Sequence, residues 1–348
     1  MFHNYQVNLK GSERIMQEKL SRRHLLVAVP ALITTAALAE APTGSGAPTN
    51  SAIPPEPKKS PLILTEQLLH STTLIETFDS KPDLSVGTGF FMQLLGHNGT
   101  SVDVVVTNRH VLERASTAFV TLTAAKSDGT ADFGKSKRIQ VAQWMFHPDP
   151  AIDLAIIPIG PALQALASAG ERYMVATVDQ TLIPTDAELR DLTPLEDVLI
   201  IGYPDGISDS TNNVPVFRRG ITATPVYLDF RGTPQFLLDA AIFPGSSGSP
   251  VFLLNQGSWA NRAGQLQIGS RIKLLGIIFA VAQHKTDGQI VFKPAPTQAR
   301  PSVETLMPNN VGLCIKSSKV LDFEPILVKL GVKLPEGYVM RSKYQPPQ

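Results

Sequence analysis

The sequence predicts an all-β fold, and three observations carry that prediction. Short runs rich in Val, Ile, Phe and Thr recur from residue 62 onward, among them "SVDVVVT", "DLAIIPI", "DVLIIGYP" and "KLLGIIFAVA". Gly, Pro, Asp and Asn stand between these runs, where turns need them. Convincing long helices are few, and the roughly 30-residue spacing of strand–helix–strand units is missing, which argues against a parallel α/β sheet. Many short strands joined by turn chemistry point to a sandwich or a barrel.

The elements follow in chain order. "SRRHLLVAVPALITTAALAE" (21–40) opens on Arg22 and Arg23, continues as an uncharged stretch from Leu25 to Ala39, and ends in small residues before Glu40. A basic start, a short apolar middle and a small-residue end make residues 1–39 a signal peptide. Ser21 to Leu26 resembles the twin-arginine export signal, and a start at Met16 would shorten its long leading region. The apolar run is short for a membrane span, which needs about 20 residues. Export to the periplasm or the exterior is expected, by the twin-arginine or the general secretory route. The alternatives are an anchor retained through residues 25–39 or an ordinary N-terminal helix. Residues 40–61, rich in Pro, Gly, Ser and Thr, cannot bury enough apolar surface to fold and read as a disordered linker.

The folded body is expected over 62–330. "VGTGFFMQLL" and "SVDVVVTNRHVL" are strands joined by the turn "GHNGT". "KRIQVAQWMFHP", "DLAIIPI", "DVLIIGYP", "GITATPVYL", "QFLLDAAIF", "SPVFLL", "KLLGIIFAVA", "QIVFK" and "VGLCIK" continue the pattern. Short helices are expected near 64–73, 162–169 and 318–330. A division of the body falls at roughly 160–197, where the insertion 161–197 has no assignable role. Residues 331–348 form a C-terminal tail.

Several function classes are disfavoured by composition. The net charge is +1, so nothing points to nucleic acid. Cys314 is the single cysteine, which rules out an intrachain disulfide. There is no CxxC pair, HExxH stretch, P-loop or dinucleotide fingerprint, so neither a metal nor a cofactor is expected.

"FPGSSGSPVF" (243–252) then needs a reason beyond a flexible loop. A serine hydroxyl held on a tight Gly-containing turn can attack a carbonyl, provided a base takes its proton. "VVVTNRHVLE" supplies His110 at a strand end, and "FHPDPAIDLAIIPI" supplies Asp153 at the mouth of an apolar run. A carboxylate there needs a strong donor, and an imidazole N–H serves. Asp149 is the competing carboxylate, but it sits between two prolines in a turn.

These segments together resemble the trypsin-like serine peptidases, and within them the HtrA (Deg) type. "GTGFF" (87–91) is similar to that family's G-x-G-F strand, "TNRHV" (107–111) to its T-N-x-H-V segment, and "DLA" (153–155) to its D-x-A segment. "IGYPDG" (201–206) is similar to G-x-P-x-G, and "DAAIFPGSSGSP" (239–250) to D-A-x-I-N-P-G-N-S-G-G-P. "LLGIIFAVA" and "VGLCIKSSKV" resemble the two strands that follow. The resemblance covers roughly Leu62 to Leu330, and the order His, Asp, Ser is that of chymotrypsin-type enzymes. It implies a chymotrypsin-like double six-stranded β-barrel with a few short helices. The family's position two after the nucleophile is Gly, whereas this chain has Ser249, which tolerates positive φ less readily. The tail after Leu330 is too short for a PDZ domain.

The implied function is a serine endopeptidase acting through an acyl-enzyme on protein or peptide substrates. Ser247 is the expected nucleophile, His110 the general base and acid, and Asp153 the residue that fixes the imidazole tautomer. The backbone N–H groups of Gly245 and Ser247 are the expected oxyanion hole. Digestive relatives pair a new N-terminal amine with an aspartate just before the nucleophile. Ser246 occupies that position here, so proteolytic activation is not expected. Ala241, six residues before the nucleophile, offers no acid for a Lys or Arg side chain, which favours small or medium apolar residues before the scissile bond. Ile278, Phe279, Ala280 and Val281 are the expected substrate-pairing strand, with an ordinary core strand as the alternative. The rival functions are a catalytically inactive binding protein on the peptidase fold, to which Ser249 gives weight, and an esterase. The sequence does not reveal the oligomeric state.

Overall fold

The computed structural model describes residues 62–79, 84–97, 100–204, 208–289, 302–335 and 337–344. The expected signal peptide (1–39) and linker (40–61) lie outside the described residues, as do most of "QIVFK" and the last four residues of the tail.

Two β-sheets build the molecule. The first takes its strands from one continuous stretch of chain. They are β1 (Thr72–Phe78), β2 (Leu84–His97), β3 (Thr100–Thr107), β4 (Thr117–Ala125), β5 (Ala131–Val141), β6 (Met145–Phe146), β7 (Ala155–Pro158), β8 (Tyr173–Met174) and β9 (Val178–Asp179). The pairing order is β5-β4-β1-β2-β3-β7-β6, with β8 on β4 and β9 on β2. Six longer strands carry the sheet, and β6, β8 and β9 are additions of two residues each. The second sheet is a closed six-stranded barrel of β10 (Asp197–Gly202), β11 (Val216–Thr222), β12 (Gln235–Asp239), β13 (Pro250–Ala260), β14 (Leu266–Gln289) and β15 (Ser302–Lys316). Its order is β10-β11-β12-β15-β14-β13, and β13 returns to β10 through Val198–Leu253 and Ile200–Val251. The two sheets are consistent with a chymotrypsin-like double barrel, with closure seen in the second sheet alone.

The helices are short. They are α1 (Leu64–Leu69), α2 (Arg109–Leu112), α3 (Gly160–Ser168), α4 (Asp186–Asp191) and α5 (Glu324–Lys329). The helix expected over 64–73 stops at Leu69, because Thr72 onward joins β1 against both β2 and β4. β-branched and aromatic residues in "TTLIETF" favour that pleated surface. The expectation near 318–330 resolves into a 3-10 turn over Ser317–Phe323 followed by α5. The stretch 161–197 holds α3, β8, β9 and α4, and so links the two sheets. Thr185 and Glu188 cap α4 reciprocally, which satisfies two of its orphan N–H groups.

Three buried clusters place the site. One fills the first sheet around Ile75, Phe91, Val105, Leu112, Val120 and Ile157. One fills the barrel around Ile200, Phe236, Leu238, Val251 and Leu275. The third joins the halves, packing Phe90, Met92 and Val106 with Ile201, Phe252, Ile277 and Phe323. Each fully buried side chain of this size contributes roughly 1.5–3 kcal/mol, so the seam between the sheets is itself a core. Beyond it the tail folds back: Tyr338 and the Arg341 amide both donate to buried Glu324. Among the described residues no helix is long and apolar enough to cross a membrane.

Candidate active site

The site lies on the seam, where the ends of β3 and β7 meet the loop before β13. β3 ends at Thr107, and α2 starts two residues later, setting His110 on a single helical turn. The seat is close because of Gly87: a Cβ there would lie 2.8 Å from Val111 Cγ1. Arg109 is held over the Phe146 ring at 4.7 Å. The "FHPDPAIDLA" segment folds back through His147 N–H to the Leu154 carbonyl, which brings Asp153 to the mouth of β7.

Asp153 receives His110 at two points. The Oδ1 atom accepts the His110 backbone N–H at 2.9 Å, and Oδ2 lies 2.5 Å from the ring Nδ1. The Asn108 amide adds a third link by donating to the Asp153 carbonyl at 2.8 Å. An ionised carboxylate only accepts, so Nδ1 carries the proton and Nε2 is the basic nitrogen. The His110 side chain is 45% exposed and that of Asp153 24%, so the ring is accessible from solvent. Asp149, the competing carboxylate, instead caps the turn by accepting the Ala151 N–H at 2.9 Å.

Ser247 sits on a loop pinned from four directions. Its carbonyl accepts the Thr88 N–H at 2.8 Å. The Thr88 hydroxyl donates to the Gly245 carbonyl at 2.9 Å and accepts the Tyr203 N–H at 2.9 Å. The Gly248 N–H donates to the Ile278 carbonyl, and the Ile278 N–H to the Ser249 carbonyl. Gly245 and Gly248 flank the serine at φ +82° and +87°. A Cβ on Gly248 would stand 1.9 Å from the Thr88 carbonyl and 2.6 Å from the Thr107 hydroxyl oxygen, so this position excludes every other residue. The same contact shows how near the serine loop runs to the end of β3. Among the described residues no hydrogen bond joins the Ser247 hydroxyl to the His110 ring. The backbone N–H groups of Gly245 and Ser247 also have no hydrogen-bond partner among them.

Ser249 does not need a glycine's backbone, because its φ is not among the positive values. Its hydroxyl fills the space above Gly202, 2.1 Å from where a Cβ would be built. The departure at 249 is thus accommodated sterically by Gly202 on the facing strand, while the buried hydroxyl has no hydrogen-bond partner among the described residues.

The substrate-strand expectation needs one correction. Both backbone groups of Ile278 are bonded to the serine loop, and its side chain is buried, so it has nothing to offer a ligand. Past it β14 pairs with β15 at Ala280 and Val281, with a bulge at Phe279. Pairing with β13 ends at Ile277, so the other edge of Phe279–Val281 is unpaired among the described residues. Ala241 is exposed beside the loop. A cavity of about 540 Å³ between α1 and the barrel, lined by Thr65, Glu66, Asp197, Phe217 and Arg219, contains none of these residues.

Comparison with known proteins gives one family match and several similar structures. Residues 87–259, from the start of the "GTGFF" strand through most of β13, match the family model described as a trypsin-like peptidase domain. The chain carries a trypsin-like peptidase domain. The matched span holds His110, Asp153 and Ser247. No curated protein matches the chain. Among solved structures, the HtrA-type protease AlgW with tripeptide is similar at 18% identity and a TM-score of 0.41, covering 76% of this chain. This chain spans 62% of the AlgW chain. The inactive form of Rv3671c from M. tuberculosis H37Rv is similar at 17% identity and a TM-score of 0.35, covering 76% of this chain and 88% of that one.

Four residues of the peptidase domain escaped sequence reasoning. Asn108 and Thr88 lie inside the quoted motifs, where a buried polar residue beside the histidine or the strand glycines was the available signal. Tyr203 lies in "IGYPDG". Arg218 gave no signal.

Proposed function

We propose that the protein is a serine endopeptidase. Ser247 attacks the scissile carbonyl while His110 Nε2 takes its proton. The acyl-enzyme forms as His110 returns that proton to the leaving amine. Water then completes the cycle by the same exchange in reverse. Asp153 holds the ring and stabilises the imidazolium, and the free N–H groups of Gly245 and Ser247 receive the oxyanion, each worth about 2.7–4 kcal/mol. The observation that carries this reading is the two-point grip of Asp153 on His110 inside a trypsin-like peptidase domain. Ser246 leaves no charge for a new N-terminal amine, so the enzyme acts without proteolytic activation. Export as an HtrA-type enzyme is part of the same reading.

Substrate specificity follows from two features. The unpaired edge of Phe279–Val281 suits an extended peptide backbone added as a further strand. Ala241 supplies no carboxylate, so a buried Lys or Arg would lack its partner. Digestion of a peptide library, with cut sites mapped by mass spectrometry, is expected to show small or medium apolar residues before the cut. A profile dominated by Arg or Lys would refute the pocket assignment.

The second reading, an inactive binding protein on the same fold, is favoured by the missing Ser247–His110 bond. Catalytic hydrogen bonds are often long without substrate and tighten in the complex, so the peptidase reading stands ahead of it.

A further inference from the structure

On β11 the flanking side chains of Phe217 and Arg219 are exposed, so strand alternation turns Arg218 inward. Its side chain is half-buried, and its Nε atom is fully buried without a hydrogen-bond partner. Among the described residues no carboxylate pairs with it. A cation in that place costs free energy that an apolar residue would not. What the guanidinium touches explains its presence. Nη1 donates to the Ala241 carbonyl at 2.7 Å, and Nη2 donates to the Ser246 hydroxyl at 3.0 Å. Ser246 is buried and also accepts the Phe243 N–H at 3.3 Å. Approach to this segment is allowed by Gly220, whose Cβ would lie 2.6 Å from the Asp239 carbonyl.

We infer that Arg218 is a positioning residue that staples both ends of the 241–246 loop, holding the Gly245 and Ser247 amides in place for the oxyanion. The inference rests on the peptidase reading above. The planar fork spans two acceptors five residues apart, which a single ammonium cannot match. The staple adds to the Thr88 and Ile278 bonds on a loop where glycines at positive φ flank the serine on both sides, and glycine reorients at little steric cost. The staple also assigns a use to the neutral residue before the nucleophile: the Ser246 hydroxyl accepts a donor supplied permanently from within the fold. The loop is therefore set as soon as the barrel closes.

The test pairs kinetics with hydrogen exchange on the full-length protein and Arg218→Met, which keeps the stem but removes the fork. Exchange in peptides spanning 241–248 is expected to quicken at least about tenfold, with the rest of the barrel unchanged. In parallel kcat falls on the order of 10²-fold, as on losing one oxyanion donor, while KM stays within about twofold. Ethylguanidinium added to Arg218→Ala should restore part of kcat. Ser246→Ala, which removes only one acceptor, gives a milder loss in the same direction and serves if Arg218→Met does not fold. Unchanged loop exchange, or an active wild type matched in kcat by Arg218→Met, overturns the inference. A wild type inert toward peptides would sink the peptidase reading instead, and the loop exchange would still decide whether the staple exists.

Discussion

Replacing Ser247 with alanine is expected to reduce peptide turnover by on the order of 10⁶-fold, the loss seen when a triad nucleophile is removed. The fold should survive. The backbone carries the loop: the Thr88 N–H bonds the Ser247 carbonyl, the Gly248 N–H bonds Ile278, and none of these links uses the Ser247 side chain. Circular dichroism and Tm should therefore match wild type, and residual substrate affinity should persist. Turnover within tenfold of wild type would assign the nucleophile elsewhere.

Asp153→Asn carries the next largest effect. The carboxylate now accepts from both the His110 amide and the ring Nδ1. An asparagine can accept with only one atom, and its NH₂ turned toward Nδ1 would demand an acceptor there. The ring proton would then move to Nε2, and the base would be lost in the orientation that faces the serine. A fall in kcat of about 10⁴-fold follows from the wrong tautomer alone, with KM little changed because Asp153 touches no substrate. Steady-state kinetics settle the matter; a loss below tenfold would mean that Asp153 does not orient the base.

The three site segments were legible because each is local. Gly248 must be glycine for reasons of φ and of the Thr88 carbonyl, so the serine turn announces itself in a few consecutive residues. The His110 and Asp153 segments are likewise short and stand at strand ends. Strand composition revealed the all-β class, since Val- and Ile-rich runs between turn residues have few other homes.

What escaped detection is what depends on distant partners. β1 was obscured because "TTLIETF" directly follows helix α1, and only pairing with β2 and β4 decides its state. Ile278 looked like a free substrate strand, yet its backbone is consumed by a loop 29 positions earlier, at Ser249. Arg218 meets Ser246 across 28 positions, and no spacing rule connects a strand arginine to a loop serine. Ser249 looked like a defect by motif; the compensating gap at Gly202 is on another strand.

The measurement that bears most directly on the central claim is peptide-mass mapping of the protein after treatment with a serine-directed fluorophosphonate. One adduct is expected, on Ser247, and it should be absent from protein in which His110 is replaced by alanine. Intact protein that takes up no probe, or takes it up on a different serine, would contradict the account.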